Sequence, residues 1–291
     1  MKNEETDREL RIGFLGLGVM GLPMVANIIK KTGKAVSGFD VSKERLKLFE
    51  EIGGDPVDNA EKIYKECDVI IQILPTHEII SNSVKEAVRF GKPGNIIILR
   101  LEEEVQRAGM FLLDSPVSGG NGKAASGSLA IMVGGNEAAF ESVKHILEYM
   151  GEPVYTGSIG SGSVTKLVNN IIAGAYLAAI AEGYAFAAKA GIDLKTTFNA
   201  TKLGFAGGPL YSDKVPKIIR RDYEPGARIA VHRKDILNAK AYAHALGIDL
   251  PVTDVTLRIM DWMKDNGYID VDQAGMVKYF EEKMSVQVGE F

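Results

Sequence analysis

Residues 11–24 read Arg-Ile-Gly-Phe-Leu-Gly-Leu-Gly-Val-Met-Gly-Leu-Pro-Met, and the fold turns on them. Residues 11–15 form an apolar run of strand length. Gly16, Gly18 and Gly21 follow it in G-x-G-x-x-G spacing, and a helical pattern occupies 23–31. Pro23 suits the first turn of that helix, where a missing N–H costs little. The first glycine permits a tight turn and the second lets backbone approach a pyrophosphate. The third lets the helix pack closely, with its N-terminus facing the phosphates. A chain with 32 glycines can produce this spacing by accident. Context makes the motif specific: Asp40 ends the next strand, 22 residues after Gly18, where a carboxylate can accept both ribose hydroxyls.

The pattern continues outward. Strands are expected at 35–39, 68–74, 95–99, 111–113 and 129–133, and helices at 42–51 and 59–66, with Ser42 placed to cap the first of these. Near-continuous apolar strands alternating with helices predict a parallel sheet covered on both faces. The character changes near residue 160. A proline-free run follows to about Ala190, and its apolar residues surround the segment, as expected of a helix buried between domains or subunits. Beyond Gly191 the pattern stays helical. The expected architecture is α/β: a Rossmann-type parallel-sheet domain over 1–162, then a long bridging helix and an all-helical domain over 163–291.

Composition narrows the function. The chain has 291 residues, 46% of them hydrophobic and 25% charged, as in globular proteins. With 34 basic and 38 acidic side chains the formal charge is -4, which offers no broad cationic field for nucleic acid. Cys67 is the sole cysteine, so no intrachain disulfide forms, and its place before a strand predicts a core side chain. The opening residues MKNEETDREL lack the apolar core of a signal peptide, and Glu182 interrupts the apolar stretch around 171–180. The expectation is a cytoplasmic protein without a membrane span. His77, His145, His232 and His244 are scattered without metal-ligand spacing, and Ser115 and Ser118 lack a nucleophile elbow, so neither a metal site nor a hydrolase triad is expected.

Within the first motif, Gly16, Leu17, Gly18, Val19, Met20, Gly21 and Asp40 are the candidate cofactor residues. A carboxylate at Asp40 repels a 2′-phosphate, so NAD(H) is favoured, while Lys43 and Arg45 nearby leave NADP(H) possible. Leu74 and Pro75 close a strand at the carboxyl edge, either to line the cofactor or simply to end the strand. Ser118, Gly119 and Gly120 in DSPVSGG (114–120) are either an anion nest for a substrate or a plain loop. Lys166 falls at the start of the long helix, where the macrodipole and desolvation both favour the neutral amine. Asn169 and Asn170 follow at i+3 and i+4, on nearly the same face. A lysine so placed is either a proton donor or a solvated side chain. Lys234-Asp235 reads as a surface pair.

Together GFLGLGVMGLPM at 13–24, DSPVSGG at 114–120, GSGSVTKLVNN at 160–170 and HRKDILNAKAYAHALGIDLPVT at 232–253 resemble the β-hydroxyacid dehydrogenase family. The resemblance spans nearly the whole chain. It implies an NAD(P)-dependent enzyme interconverting a small 3-hydroxy acid and its semialdehyde, with Lys166 as general acid and base. Ser118, Gly119 and Gly120 would hold the substrate carboxylate. Asn170, with Asn169 beside it, would bond substrate or the lysine, and Lys234 would reach the cofactor. It also implies a homo-oligomer formed through the long apolar helix.

Within the family, the segments at 223–235 and 272–282 look most like the branch that reduces tartronate semialdehyde to glycerate. Asn170 is nearer the 3-hydroxyisobutyrate branch, which stands as the alternative. A third reading, from a different class, is a non-catalytic nucleotide-binding or oligomerisation module. The family segment D-x-S-S/T-x-x-P has no counterpart before DSPVSGG, where the chain is about ten residues short of a strand-loop-helix unit. Either a cofactor-contacting loop has been lost or it is omitted from the sequence, and omission is the expectation.

Overall fold

The computed structural model describes residues 10–99 and 108–289. The short segment singled out after strand 95–99 and most of the polar N-terminal stretch lie outside the described residues. The chain divides into two compact units, with the division after Lys166.

The first unit is built on a sheet of nine strands among the described residues: β1 (Ile12–Leu15), β2 (Ser37–Phe39), β3 (Asp55–Pro56), β4 (Val69–Gln72), β5 (Ile96–Leu99), β6 (Phe111–Asp114), β7 (Val117–Ser118), β8 (Leu129–Gly135) and β9 (Gly151–Gly157). The spatial order is β3-β2-β1-β4-β5-β6-β8-β7, with β9 also on β8. The six strands from β3 to β6 run parallel in the doubly wound order of a dinucleotide-binding fold. The all-parallel expectation needs correction beyond them. β8 lies antiparallel to β6 and β7, and β9 parallel to β8. Short connections permit that reversal, whereas parallel neighbours need a crossover.

The helices of this unit are α1 (Gly21–Thr32), α2 (Lys43–Glu51), α3 (Ala60–Glu66), α4 (His77–Phe90), α5 (Gly120–Ser126) and α6 (Glu137–Leu147). Ser42 caps α2 through the Arg45 amide, as expected, and Asn59 caps α3 in the same manner. Alternation along the strands sends Phe14, Ile71, Ile98 and Leu113 to one core and Leu15, Ile70, Ile97 and Leu112 to the other. Both faces are therefore covered, as the apolar strands predict. Cys67 is buried in the second core, and burial pushes its thiol up to about 11. The Asn27 side chain, on α1, donates to the Ala124 carbonyl of α5 at 2.8 Å.

α7 (Ser161–Lys189) begins in the first unit and runs into the second, which continues with α8 (Leu194–Thr201), α9 (Pro209–Arg220), α10 (Ile229–Ala245), α11 (Pro251–Asp265) and α12 (Val277–Met284). With 29 residues α7 is long and apolar enough to cross a bilayer. Its Leu177, Ile180 and Tyr184 instead join the helical core with Tyr211, Ile236, Met260 and Phe280. The helix is not buried all round: Ile172 is 62% exposed and Phe186 67%. A second anchor of this unit is ionic. Asp272, fully buried, accepts from Lys214 Nζ at 3.0 and 3.1 Å and from the amides of Gly226, Ala227 and Ala274.

Candidate active site

Parallel strands deliver their carboxyl ends to one edge of the sheet. Leu15 is in register with Phe39 and with Gln72, and Leu99 with Asp114. Gly16, Asp40, Leu74 and the loop after Asp114 therefore share that edge, where open α/β sheets bind ligands.

The glycine loop has a separate reason for each glycine. Gly16 has φ +92° and a Cβ there would lie 2.3 Å from the Ile73 carbonyl oxygen. A Cβ on Gly21 would lie 1.9 Å from the Gly16 oxygen, so α1 starts against the loop itself. A Cβ on Gly18 would meet nothing within 4 Å, which leaves its backbone open to a ligand. Met20 at the N-cap of α1 makes no side-chain cap; in the first turn Leu22 N already donates to the Gly18 carbonyl at 3.1 Å and Pro23 has no N–H, which leaves the Gly21 amide for an anion. These features fit a dinucleotide. Asp40 closes the loop from outside: one carboxylate oxygen accepts from Leu17 N at 2.7 Å and the other from Ser42 N at 2.9 Å. Each oxygen keeps a further lone pair for a ribose hydroxyl. The Leu17 side chain is core, so this residue contributes by its backbone, while Val19 is exposed. Leu74 approaches Gly16, and Pro75 lies exposed just before α4.

The second loop joins the same edge. Ser118 ends β7, and Gly119 and Gly120 take φ +139° and +66°, conformations that L side chains resist. A Cβ on Gly119 would meet the Cβ and Cδ of Lys123, each at 2.7 Å.

The start of α7 is fastened to this edge by Asp114. That fully buried carboxylate accepts the Ser163 amide at 2.6 Å and the Ser163 hydroxyl at 2.8 Å. The backbone also comes close, since a Cβ on Gly162 would lie 2.4 Å from the Asp114 carbonyl oxygen. Lys166 is the next residue but two, one turn along α7 and half-buried. The first unit thus contains the glycine loop, Asp40, Leu74, Pro75, Ser118, Gly119, Gly120 and Lys166.

Asn169, Asn170 and Lys234 belong to the helical unit. Asn170 is buried and its amide donates to Asp235 Oδ2 at 2.9 Å while accepting from Asn169 at 3.1 Å. The surface-pair expectation for Lys234-Asp235 therefore holds only for the lysine, which is 59% exposed. Asp235 is mostly buried, and its second oxygen faces the Lys234 ammonium at 3.4 Å without a hydrogen bond. His232 bonds the Asn170 carbonyl through Nε2 at 2.9 Å. Gln273 donates to its Nδ1 at 3.1 Å, an arrangement that assigns the proton to Nε2.

Residues 11–160 match the family described as the NAD binding domain of 6-phosphogluconate dehydrogenase. Residues 160–280 match the NAD-binding domain of NADP-dependent 3-hydroxyisobutyrate dehydrogenase. The chain is 32% identical to 2-hydroxy-3-oxopropionate reductase of Escherichia coli K12, over 94% of this chain and 97% of that one. It belongs to the β-hydroxyacid dehydrogenase family. Another member, 2-(hydroxymethyl)glutarate dehydrogenase of Eubacterium barkeri, is 28% identical over 97% of this chain and 98% of its own. The solved 3-hydroxyisobutyrate dehydrogenase of Mycobacterium tuberculosis, with L-serine, superposes with a TM-score of 0.83 at 27% identity, covering 93% of this chain and 99% of that one.

As a β-hydroxyacid dehydrogenase the protein is an NAD(P)-dependent oxidoreductase acting on CH–OH groups. Two residues of this dehydrogenase escaped the sequence reading, namely Asp114 as the anchor of α7 and Asp235 as the partner of Asn170. Asp114 opens a recognised motif, but its partner is 49 residues away, and Asp235 is 65 residues from Asn170. No local pattern connects them.

Proposed function

We propose that this β-hydroxyacid dehydrogenase reduces tartronate semialdehyde to glycerate, with NADH as the preferred cofactor and Lys166 as the acid. The observation that carries the proposal is the fastening of Ser163 by Asp114, which holds the first turns of α7, and with them Lys166, at the edge shared by both glycine loops. NADH, held by the Gly16–Gly21 loop and Asp40, would supply a hydride for the carbonyl carbon. The Lys166 ammonium gives its proton to the carbonyl oxygen as the C–O double bond becomes single, and the amine takes it back in the oxidative direction. Ser118 and the amides at Gly119 and Gly120 hold the substrate carboxylate. Asn169 and Asn170, one turn past Lys166, orient the substrate hydroxyl or the amine, and Lys234 serves the cofactor. Asp40 favours NAD by accepting ribose hydroxyls and repelling a 2′-phosphate.

The 32% identity to a 2-hydroxy-3-oxopropionate reductase supports this substrate. Asn170 favours the 3-hydroxyisobutyrate reading. The exposed Ile172 and Phe186 support a second copy of the chain docking on α7.

The test is loss of NADH absorbance with tartronate semialdehyde, run beside methylmalonate semialdehyde and beside Lys166→Ala. We expect turnover with the first substrate and a loss of about 10²–10⁴-fold in the variant. Preference for the second substrate moves the enzyme to the hydroxyisobutyrate branch. Binding of NADH without turnover of either supports the non-catalytic reading.

A further inference from the structure

The carboxylate loop has a charged member that neither the motif nor the family match assigns. Lys123 lies four residues after Gly119 and three after Gly120, so its side chain rises on the face of α5 that carries the loop. Its alkyl stem fills the space over Gly119: an ideal Cβ there would meet Lys123 Cβ and Cδ at 2.7 Å and Cγ at 3.1 Å. The ammonium is two bonds beyond a carbon that already touches the loop. The side chain is exposed, and among the described residues no carboxylate pairs with it. A stem packed on apolar surface with a hydrated head is the usual disposition of lysine. Here the stem packs over Gly119, whose amide, with that of Gly120, holds an anion in the proposed reaction.

We propose that Lys123 is a specificity-determining residue, an ammonium that pairs with the substrate carboxylate held by Ser118, Gly119 and Gly120. The inference rests on that reading of the loop and gives it a substrate class. Backbone amides alone accept any compact oxyanion or polar carbonyl. An adjacent full positive charge makes a carboxylate the required group and disfavours its neutral ester. No covalent step involves Lys123.

The experiment compares wild type, Lys123→Met and Lys123→Arg. Methionine keeps the stem over Gly119 and removes the charge, and arginine restores it. We expect Lys123→Met to raise KM for the semialdehyde roughly five- to tenfold with kcat little changed, and to flatten its salt dependence. Lys123→Arg should recover most of the loss. The wild-type preference for glycerate over its methyl ester should shrink in the methionine variant. Unchanged KM and salt dependence in Lys123→Met would overturn the proposal. So would a rise in KM for NADH instead, which would move Lys123 to the cofactor. If wild type turns over neither semialdehyde, the reaction assignment fails separately. Calorimetric titration of glycerate into the NAD-loaded proteins then decides Lys123, because equal affinity in wild type and Lys123→Met sinks it.

Discussion

The buried carboxylate of Asp114 accepts both the amide and the hydroxyl of Ser163, at 2.6 and 2.8 Å, and so ties the end of β6 to the first turn of α7. A charge buried with two donors is costly to remove, because its partners lose their acceptor at once. Asp114→Ala should cost about 3 kcal/mol in urea unfolding. In the surviving folded protein kcat should fall more than KM rises, because Lys166 loses its fixed turn. Ser163→Ala, which keeps the amide bond, should cost only about 1 kcal/mol. Equal stability of wild type and Asp114→Ala would contradict this account.

Asp40 meets two backbone donors, so it cannot be replaced by its amide without conflict. In Asp40→Asn one of the two N–H groups of the pair with Leu17 and Ser42 faces an NH₂ group in place of an acceptor. We expect the KM for NADH to rise about tenfold or more, and the NADH-to-NADPH preference to fall. Parallel titrations of the two cofactors give the ratio, and an unchanged ratio would remove Asp40 from cofactor choice.

The glycine loop separates packing from ligand approach. Gly21→Ala pushes a methyl group into the Gly16 carbonyl, 1.9 Å away, and should destabilise the fold by about 3 kcal/mol. Gly18→Ala meets nothing in the free protein. It should unfold at the wild-type denaturant concentration yet bind NADH weakly. If both variants lose stability equally, the open space at Gly18 is not the ligand's.

Asp272 sets an acid limit on the helical unit. Burial alone would raise its carboxyl pKa, but the amides of Ala274 and Ala227 and the Lys214 ammonium outweigh that, and the net effect is a lowered value. A carboxyl with a lowered folded value contributes its stabilisation fully above the unfolded value, near pH 4, and loses it as pH falls through the folded one. Urea midpoints taken from about pH 6 down to about pH 3 should therefore fall, and fall less steeply in Asp272→Asn. That variant should already be weaker at neutral pH by about 3 kcal/mol, since buried Lys214 keeps only the exposed Asp213 carboxylate, at 2.9 Å, as counter-charge.

Burial of Cys67, with a thiol pushed up to about 11, keeps it protonated at neutral pH. Its alkylation should track unfolding of the first unit, so fast labelling of the folded protein would show that its core opens locally.

The parts of this fold that are legible in sequence are those with short-range signatures. Gly16, Gly18 and Gly21 announce themselves by spacing, and Asp40 by its distance along the chain. Ser42 and Asn59 are readable as caps because a cap acts within one turn. In the β7–β9 part of the sheet only β8 is readable in this way, and its direction is not. β7 has only two residues, and pairing direction is a property of the partner strand. The same limit hides the pairs of Asp114 with Ser163, Asp235 with Asn170 and Asp272 with Lys214, which are 49, 65 and 58 residues apart. In each, sequence alone would leave the carboxylate in solvent. What covers the long helix is not readable either. Its all-round apolar pattern is real, but Ile172 and Phe186 face outward in the single chain.

A single amide group gives the first unit a property that its sheet does not. Asn27 belongs to α1, which starts at the cofactor loop, and its bond to Ala124 belongs to α5, which starts at Gly120. Neither helix can peel from the sheet without breaking that bond. The Gly16–Gly21 loop and the Ser118–Gly120 loop therefore sit on one cooperative block, whose amides should exchange with solvent together. On the proposed roles of the two loops, occupancy of either should protect the other, and filling them in sequence should cost less order than filling each alone.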